Sequence, residues 1–329
     1  MVIIADNNGR EIKYLKYSKF DFDLGDTMDF TITISPIDYD ENIKYGNIIF
    51  IPNSEYAGII GGIETNTSDN TVIIKGYCLR GILNKRIIVP PKNQAYKQVS
   101  GEINSIIKSL IDEEGIGSFF SVSEVDTGIN INNFKFDRYC TLLNGIEKML
   151  KSVNYKLSIK YIQGQKGEKG YALLSSTPII DYSDTLELSQ DNLLDFIFKE
   201  SNNGVNHLIC LGKGELTDRV VIDLYVGKNG EITENKFYKG LEEITQVYED
   251  TNSESDELRE RGIEKLNEIK NTKTFSMDIN TLNIDIEIGD IIGGRDYITG
   301  NSLKSPVVNK IYTVDNGKES KEYKIEGDD

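Results

Sequence analysis

The sequence predicts an α+β chain, mainly β, in which one β-unit is present twice and an α+β domain is inserted between the copies. Three observations predict it. Period-two apolar blocks stand near both ends, four of them recur in the same order, and the middle of the chain switches to a helical period.

The repeat begins with Asp29-Phe30-Thr31-Ile32-Thr33-Ile34-Ser35, matched by Thr274-Phe275-Ser276-Met277-Asp278-Ile279-Asn280. Phe30, Ile32 and Ile34, like Phe275, Met277 and Ile279, alternate with polar residues as a half-buried strand does. The second block pairs Gly46, Ile48 and Ile49 of Ile43–Ile49 with Gly289, Ile291 and Ile292 of Ile286–Ile292. The third sets Ile59–Thr65 beside Val307–Thr313. The fourth is a turn and returning strand, Ser68–Gly76 and Asp315–Gly327. Ile-rich strands and Gly-Asx turns recur by chance in β-rich chains, so the weight rests on the shared order.

In chain order, residues 1–96 form the first β-unit. A strand is predicted within Lys13–Phe22, and Asp23-Leu24-Gly25-Asp26 turns into the Phe30 strand. Asp21, Asp23 and Asp26 lack the further donors and distal Glu of a calcium loop, so they read as a solvated turn. Pro90-Pro91 closes the unit.

Residues 97–185 form the insert. Val99, Ile103, Ile106, Ile107, Leu110 and Ile111 make one helical stripe, ended by Gly115 and Gly117. Tyr139, Leu142, Leu143, Ile146, Met149, Leu150 and Val153 make a second, with Asp137 as its expected cap. Short strands are expected in Phe119–Val125 and Ile129–Phe136, and Tyr155–Tyr161 with Tyr171–Leu174 reads as a hairpin around a glycine-rich tip.

Residues 186–329 return to strands at Leu193–Phe198, His207–Leu211 and Arg219–Val226. One helix carries Leu258, Gly262, Ile263, Leu266 and Ile269, capped by Ser253 or Ser255, with Glu257 and Arg261 paired across a turn. The second unit is expected to be a β-barrel or sandwich with one packed helix.

The 329 residues are 38% hydrophobic and 27% charged, the range of folded proteins. The start of the chain does not read as a signal peptide, and no apolar run reaches the roughly 20 residues of a membrane span, so insertion into a membrane is not expected. Cys78, Cys140 and Cys210 are far apart and odd in number, which suits reduced thiols and gives neither a disulfide framework nor a zinc spacing. A net charge of −16 argues against holding nucleic acid by phosphate neutralisation.

No catalytic constellation appears, and no metal or cofactor is expected. The single histidine, His207, reads as structural at a strand end. Leu211-Gly212-Lys213-Gly214-Glu215 lacks the third glycine of a dinucleotide loop and the ending of a phosphate loop.

The order of elements resembles the hub proteins of phage tails, a group that takes in baseplate hubs of contractile tails, VgrG-type spikes and hub-like proteins of siphophages. The resemblance is carried by the Gly46-Asn47-Ile48-Ile49 and Gly289-Asp290-Ile291-Ile292 turns, the Val205–Leu211 and Arg219–Val226 strands and the helix near 258–269. It implies two tail-tube-like units in a non-enzymatic homotrimer that joins the six-fold tail tube to a three-fold spike or tip. The partners it implies are the chain itself, the tail tube or a distal tube-like protein, a spike or tip protein and the tape measure protein. DNA would pass through the channel unbound. Synthesis in a bacterial cytoplasm and a place in the virion tail baseplate follow from the same resemblance. The chain ends without a needle-like β-helix, so the spike is expected to be another polypeptide. The alternatives are a peripheral tail adhesin for host surface glycans, suggested by 18 tyrosines, and an acidic hydrolase with a carboxylate pair.

Overall fold

The computed structural model describes residues 2–15, 18–165, 168–183, 187–189, 196–278, 286–295, 298–300, 302–315 and 317–326. The chain is mainly β and divides into two compact units. One comprises Met1–Leu186, Met277–Ile292 and Pro306–Lys324; the other comprises Glu187–Ser276, Gly293–Ser305 and Ile325–Asp329.

The first unit starts with β1 (Val2–Ala5), β2 (Glu11–Leu15), β3 (Lys19–Asp23), β4 (Asp29–Ile34), β5 (Ile48–Phe50), β6 (Ala57–Asn66) and β7 (Thr71–Cys78). The predicted strand in Lys13–Phe22 is therefore two strands, β2 and β3. A short helix that the pattern did not announce, α1 (Leu79–Asn84), follows β7 directly. Next come β8 (Gln98–Glu102), α2 (Ile103–Glu113), β9 (Phe120–Val122), β10 (Asn130–Lys135), α3 (Leu142–Lys151), β11 (Tyr155–Ile162) and β12 (Tyr171–Pro178).

The run Val-Ile-Ile-Ala of β1 shows why these strands are apolar on both faces. Val2 and Ile4 enter one core with Phe22, Phe30, Ile32 and Ile74. Ile3 and Ala5 point the other way, into a second core with Leu79, Ile107, Leu143, Ile146 and Leu157. A strand sandwiched between two cores loses its polar alternation.

Two corrections concern α2 and α3. Val99 sits on β8, and α2 starts only at Ile103, capped by the Glu102 carboxylate accepting from the Ser105 amide at 2.8 Å. Asp137 does not cap α3. Tyr139 adopts a φ of 56°, outside the helical region, so the helix restarts after Thr141, whose hydroxyl accepts from the Asn144 amide at 3.2 Å. Asp137 instead pairs with Lys148 at 2.5 Å.

The second unit holds β13 (Glu187–Ser189), β14 (Phe196–Ser201), β15 (His207–Leu211), β16 (Val221–Val226), β17 (Ile232–Thr233), β18 (Thr245–Glu249) and α4 (Ser255–Ile269). Strands in the order β17-β16-β15-β18 form a sheet, antiparallel except for β15 with β18. On one face Leu208, Cys210, Ile222 and Leu224 pack with Leu258 and Leu266 of α4. Gly262 is required there, because an added Cβ would lie 2.6 Å from the Cys210 sulfur. Neither Ser253 nor Ser255 caps α4: Glu254 stands at the cap, its side chain turned to Lys213 at 2.8 Å rather than to the helix amides, and the Ser253 hydroxyl donates to Asp250 at 2.9 Å. Asp256 and Glu257 in the first turn complement the helix dipole. Glu257 and Arg261 do pair, at 2.6 Å.

The chain ends with β19 (Thr272–Asp278), β20 (Ile291–Arg295), β21 (Ser302–Asp315) and β22 (Lys318–Glu326). In the large sheet the first four-strand set runs β4-β7-β6-β5, while the last four strands run β19-β22-β21 with β20 beside β21. Strand by strand, these are the same order. In the first unit β21 also pairs antiparallel with β3, setting Ile311 opposite Asp23 and Val314 opposite Phe20.

Candidate functional site

The blocks singled out in the sequence fall into scaffold positions. Phe30, Ile32 and Ile34 on β4 are buried, as are Ile48, Ile49 and Ile292, while Ile291 is half-buried. Phe275 and Met277 lie on β19, and Ile279 lies outside the described residues.

The two Gly-Asx turns are bonded alike, atom for atom. The Asn47 side chain accepts from the Lys44 amide at 2.6 Å, and the Asp290 side chain accepts from the Glu287 amide at 3.0 Å. Asn47 N–H donates to Lys44 O and Asp290 N–H to Glu287 O, both at 3.1 Å. Gly46 N–H donates to Ile60 O and Gly289 N–H to Val307 O, both at 2.8 Å. The return bonds, Ile60 N–H to Asn47 O and Val307 N–H to Asp290 O, measure 2.9 and 2.8 Å. Gly46 and Gly289 take φ values of 84° and 97°, left-handed values that favour glycine. These bonds equate Ile60, rather than Ile59, with Val307.

The turns differ in what meets them. Asp290 is buried and pairs with the equally buried Lys156 of β11 at 2.6 Å, and its other oxygen accepts from the Ile180 amide at 2.9 Å. Glu287 adds a second carboxylate to Lys156 at 3.0 Å and accepts from the Ser158 hydroxyl at 3.2 Å. Asn47 is neutral, and Tyr45 beside it stands 67% exposed.

The other end of β11 meets the first strand set. Asn53 N–H donates to Tyr161 O at 3.2 Å and Tyr161 N–H to Ser54 O at 2.8 Å, with the Phe50 and Tyr161 rings 4.5 Å apart. Between these ends, Arg80 of α1 is buried. Its guanidinium donates to Glu55 at 2.5 Å, to Glu147 of α3 at 2.7 Å and to Leu157 O at 3.1 Å. Burial works against the Arg80 charge, but Glu55 and Glu147 outweigh it and hold the guanidinium above its ordinary value. Desolvation pushes the Glu147 carboxyl up despite the Arg80 charge. Such charges are tolerated in a core only when paired on all sides.

Arg80, Glu147 and Lys156 border a cavity of about 240 Å³ whose walls are mostly apolar, among them Leu24, Met28, Leu143, Leu157 and Val307. Arg80 and Lys156 on this wall are spent on internal carboxylates, while Lys151 at its rim is exposed.

His207 begins β15, as expected of a strand-end residue. Its Nδ1 lies 2.8 Å from Glu243 and its Nε2 2.7 Å from Asp223, and the ring stacks on Tyr225 at 4.3 Å. Carboxylates on opposite ring nitrogens orient an imidazole without converging on a common point. Among the described residues no three or more His, Cys, Asp or Glu gather as a metal site, and no helix is long and apolar enough to cross a membrane. The sequence reading missed Arg80 and Lys156; their one signal was a cation set inside an otherwise apolar or alternating stretch.

No protein-family model matches the chain, and no curated protein matches it in sequence. Solved structures do match its fold. A tail protein from Neisseria meningitidis MC58 aligns with 99% of this chain and 96% of its own, at 11% identity and a TM-score of 0.54. The 43 kDa tail protein of prophage MuSo2 from Shewanella oneidensis aligns with 98% of this chain and 97% of its own, at 12% identity and a TM-score of 0.57. From end to end, the chain has the fold of these two tail proteins.

Proposed function

We propose that the chain is a non-enzymatic structural hub of a phage tail or tail-like particle, acting as a homotrimer on the tail axis. The observation that carries this reading is the repeated strand order with its two identically bonded Gly-Asx turns. On this reading Phe30, Ile32, Ile34, Gly46, Ile48 and Ile49 are the equivalents of Phe275, Met277, Ile279, Gly289, Ile291 and Ile292. Residues 1–96 and 186–329 hold the two tube-like units, and residues 97–185 are the insert.

A tube built of six-fold rings needs six similar surfaces above a three-fold tip. Three chains with two copies each supply six, and closed rotational symmetry leaves no unpaired edge at the ring. The net charge of −16 suits a channel wall that lets DNA slide past without binding. Partners above and below are the tail tube and the spike or tip protein, with the tape measure protein in the channel. The fold shared with two tail proteins supports the tail location.

Reconstruction of the particle by electron cryomicroscopy tests this. Three copies around the central axis, between tube and tip, are expected; a position off the axis overturns the hub reading.

A further inference from the structure

The chain carries 53 acidic residues, yet Asn70–Gly101 contains none, while it holds six Lys and Arg. Three of those cations are committed: Arg80 to Glu55 and Glu147, Lys75 to Glu64, and Lys97 to Glu113. Lys85, Arg86 and Lys92 are exposed and have no carboxylate partner among the described residues; Lys85 lies over the Tyr77 ring at 4.9 Å. Between them Ile87 and Val89 are 39% and 58% exposed, while Ile88 is buried between them. Beyond the C-cap of α1 at Lys85, Ile87 forms an isolated antiparallel bridge with Thr141, and the segment is held by Ile88 N–H to Cys140 O at 2.9 Å and Leu142 N–H to Arg86 O at 2.8 Å. The result is a fixed ribbon that presents apolar side chains flanked by cations.

The sheet of the second unit presents the complement. Its α4 face is filled, and alternation sends the other residues to the opposite face. The register sets Asp223 beside Ile209 beside Val247, and Val221 beside Leu211 beside Glu249. Val221 and Val247 are half exposed. At the ends of this sheet, Leu216 and Leu241 stand fully in solvent, flanked by Glu215 and Asp218 and by Glu242. Arg219 pairs with Glu249 and Lys236 with Glu243. Across Val205–Lys270, 15 Asp and Glu face 9 Lys and Arg.

We infer that these two surfaces bind each other between copies of this chain: the Lys85–Lys92 ribbon of one copy docks on the open, acid-rimmed face of the β16-β15-β18 sheet of the next. Like-with-like contacts are disfavoured in a chain of net charge −16, because most of its surface repels itself. A ribbon on a sheet is a heterologous contact, the kind that generates a closed ring when the rotation closes. The inference rests on the ring-forming hub reading and names the contact that would make the ring.

Cysteine cross-linking tests it. Full-length chains carrying Val89→Cys together with Val247→Cys, in a Cys140→Ser background, are treated with a short bismaleimide. The treatment is done on concentrated protein and on tail particles. Expected are dimers and trimers whose linked peptides join position 89 to position 247, with neither substitution alone giving a trimer. Lys85→Glu with Arg86→Glu should lower the 89–247 yield at least tenfold, and adding Glu249→Lys should restore part of it. All of these positions except the half-buried Cys140 are exposed, and an unchanged thermal melt confirms folding. Oligomers linked only elsewhere, or no 89–247 link in either preparation, overturn the inference. So does retention of the chain on DNA, lost on Lys85→Glu with Arg86→Glu and unaccompanied by the link. An 89–247 trimer lying off the tail axis would sink the hub reading and leave the contact standing.

Discussion

The Lys156 ammonium sits 2.6 Å from the Asp290 carboxylate, with 5% and 1% of the two side chains exposed. The pair ties β11 to the second Gly-Asx turn, at a position where the first turn carries neutral Asn47. Asp290→Asn keeps the turn's own hydrogen bonds and removes the charge. Breaking a buried pair typically costs about 3–5 kcal/mol. Because Glu287 still answers Lys156, the loss should fall at the low end of that range in urea denaturation. Lys156→Met combined with Asp290→Asn should be more stable than either change alone; strict additivity would refute the coupling.

Arg80 predicts a sharper contrast. Lysine cannot make three divergent contacts in fixed directions, so Arg80→Lys should destabilise almost as much as Arg80→Met, by roughly 3–5 kcal/mol. Glu147→Gln should be milder, because Glu147 is partly solvent-facing and its folded carboxyl is already displaced upward. A raised carboxyl contributes stability below its unfolded value and loses it as pH rises through the folded value. Glu147→Gln should therefore flatten the loss of stability that accompanies rising pH just above the ordinary glutamate range. An unchanged profile would show that Glu147 does not titrate there.

Glu102 has the opposite sign. Burial opposes its charge, but bonds from Thr127 and Ser105 prevail and hold its carboxyl below the ordinary value. Its contribution is complete above the unfolded value and disappears as pH falls through the folded one. Glu102→Gln should remove part of the acid-side slope in a pH series of thermal melts.

The paired turns allow an internal comparison. Alanine at either glycine must adopt a left-handed φ, at a cost of about 1–2 kcal/mol. At Gly289 the new methyl would also stand 2.9 Å from the Lys156 Cβ, whereas at Gly46 the nearest atom is the mobile end of Asn7 at 3.4 Å. Gly289→Ala should be the more damaging of the two, and equal losses would mean that β11 yields.

Thiol labelling should be ordered. Burial pushes the Cys78 thiol up to about 12 and Cys210 up to about 11, while Cys140 is only half-buried. A maleimide at pH 8 should modify Cys140 first in the folded chain, and early loss of Cys78 would contradict the packing around α1.

Much of this fold was legible in the sequence, because its strands obey local patterns. Phe30, Ile32 and Ile34 alternate, and Gly46 and Gly289 mark turns whose backbone favours glycine. What local pattern could not supply was the consequence of distant segments meeting. Val2–Ala5 reads as an unremarkable apolar run until two cores are seen to share it. Arg80 and Lys156 carry no local sign of burial, because the carboxylates that neutralise them lie at Glu55, Glu147, Glu287 and Asp290. The start of α3 was misplaced for a related reason: a single left-handed residue, Tyr139, overrode the capping preference of Asp137.

The pairing of β3 with β21 has a consequence for biosynthesis. Asp23 waits for Ile311, so nearly the whole chain must leave the ribosome before that edge is covered. At synthesis rates of about 5–20 residues per second, the wait is on the order of 15–60 s. During that time Phe20 and Phe22 sit on an open strand edge, a template for joining neighbouring nascent chains. Yield in the host should therefore respond to translation speed and to chaperone supply more than to changes at the exposed loops.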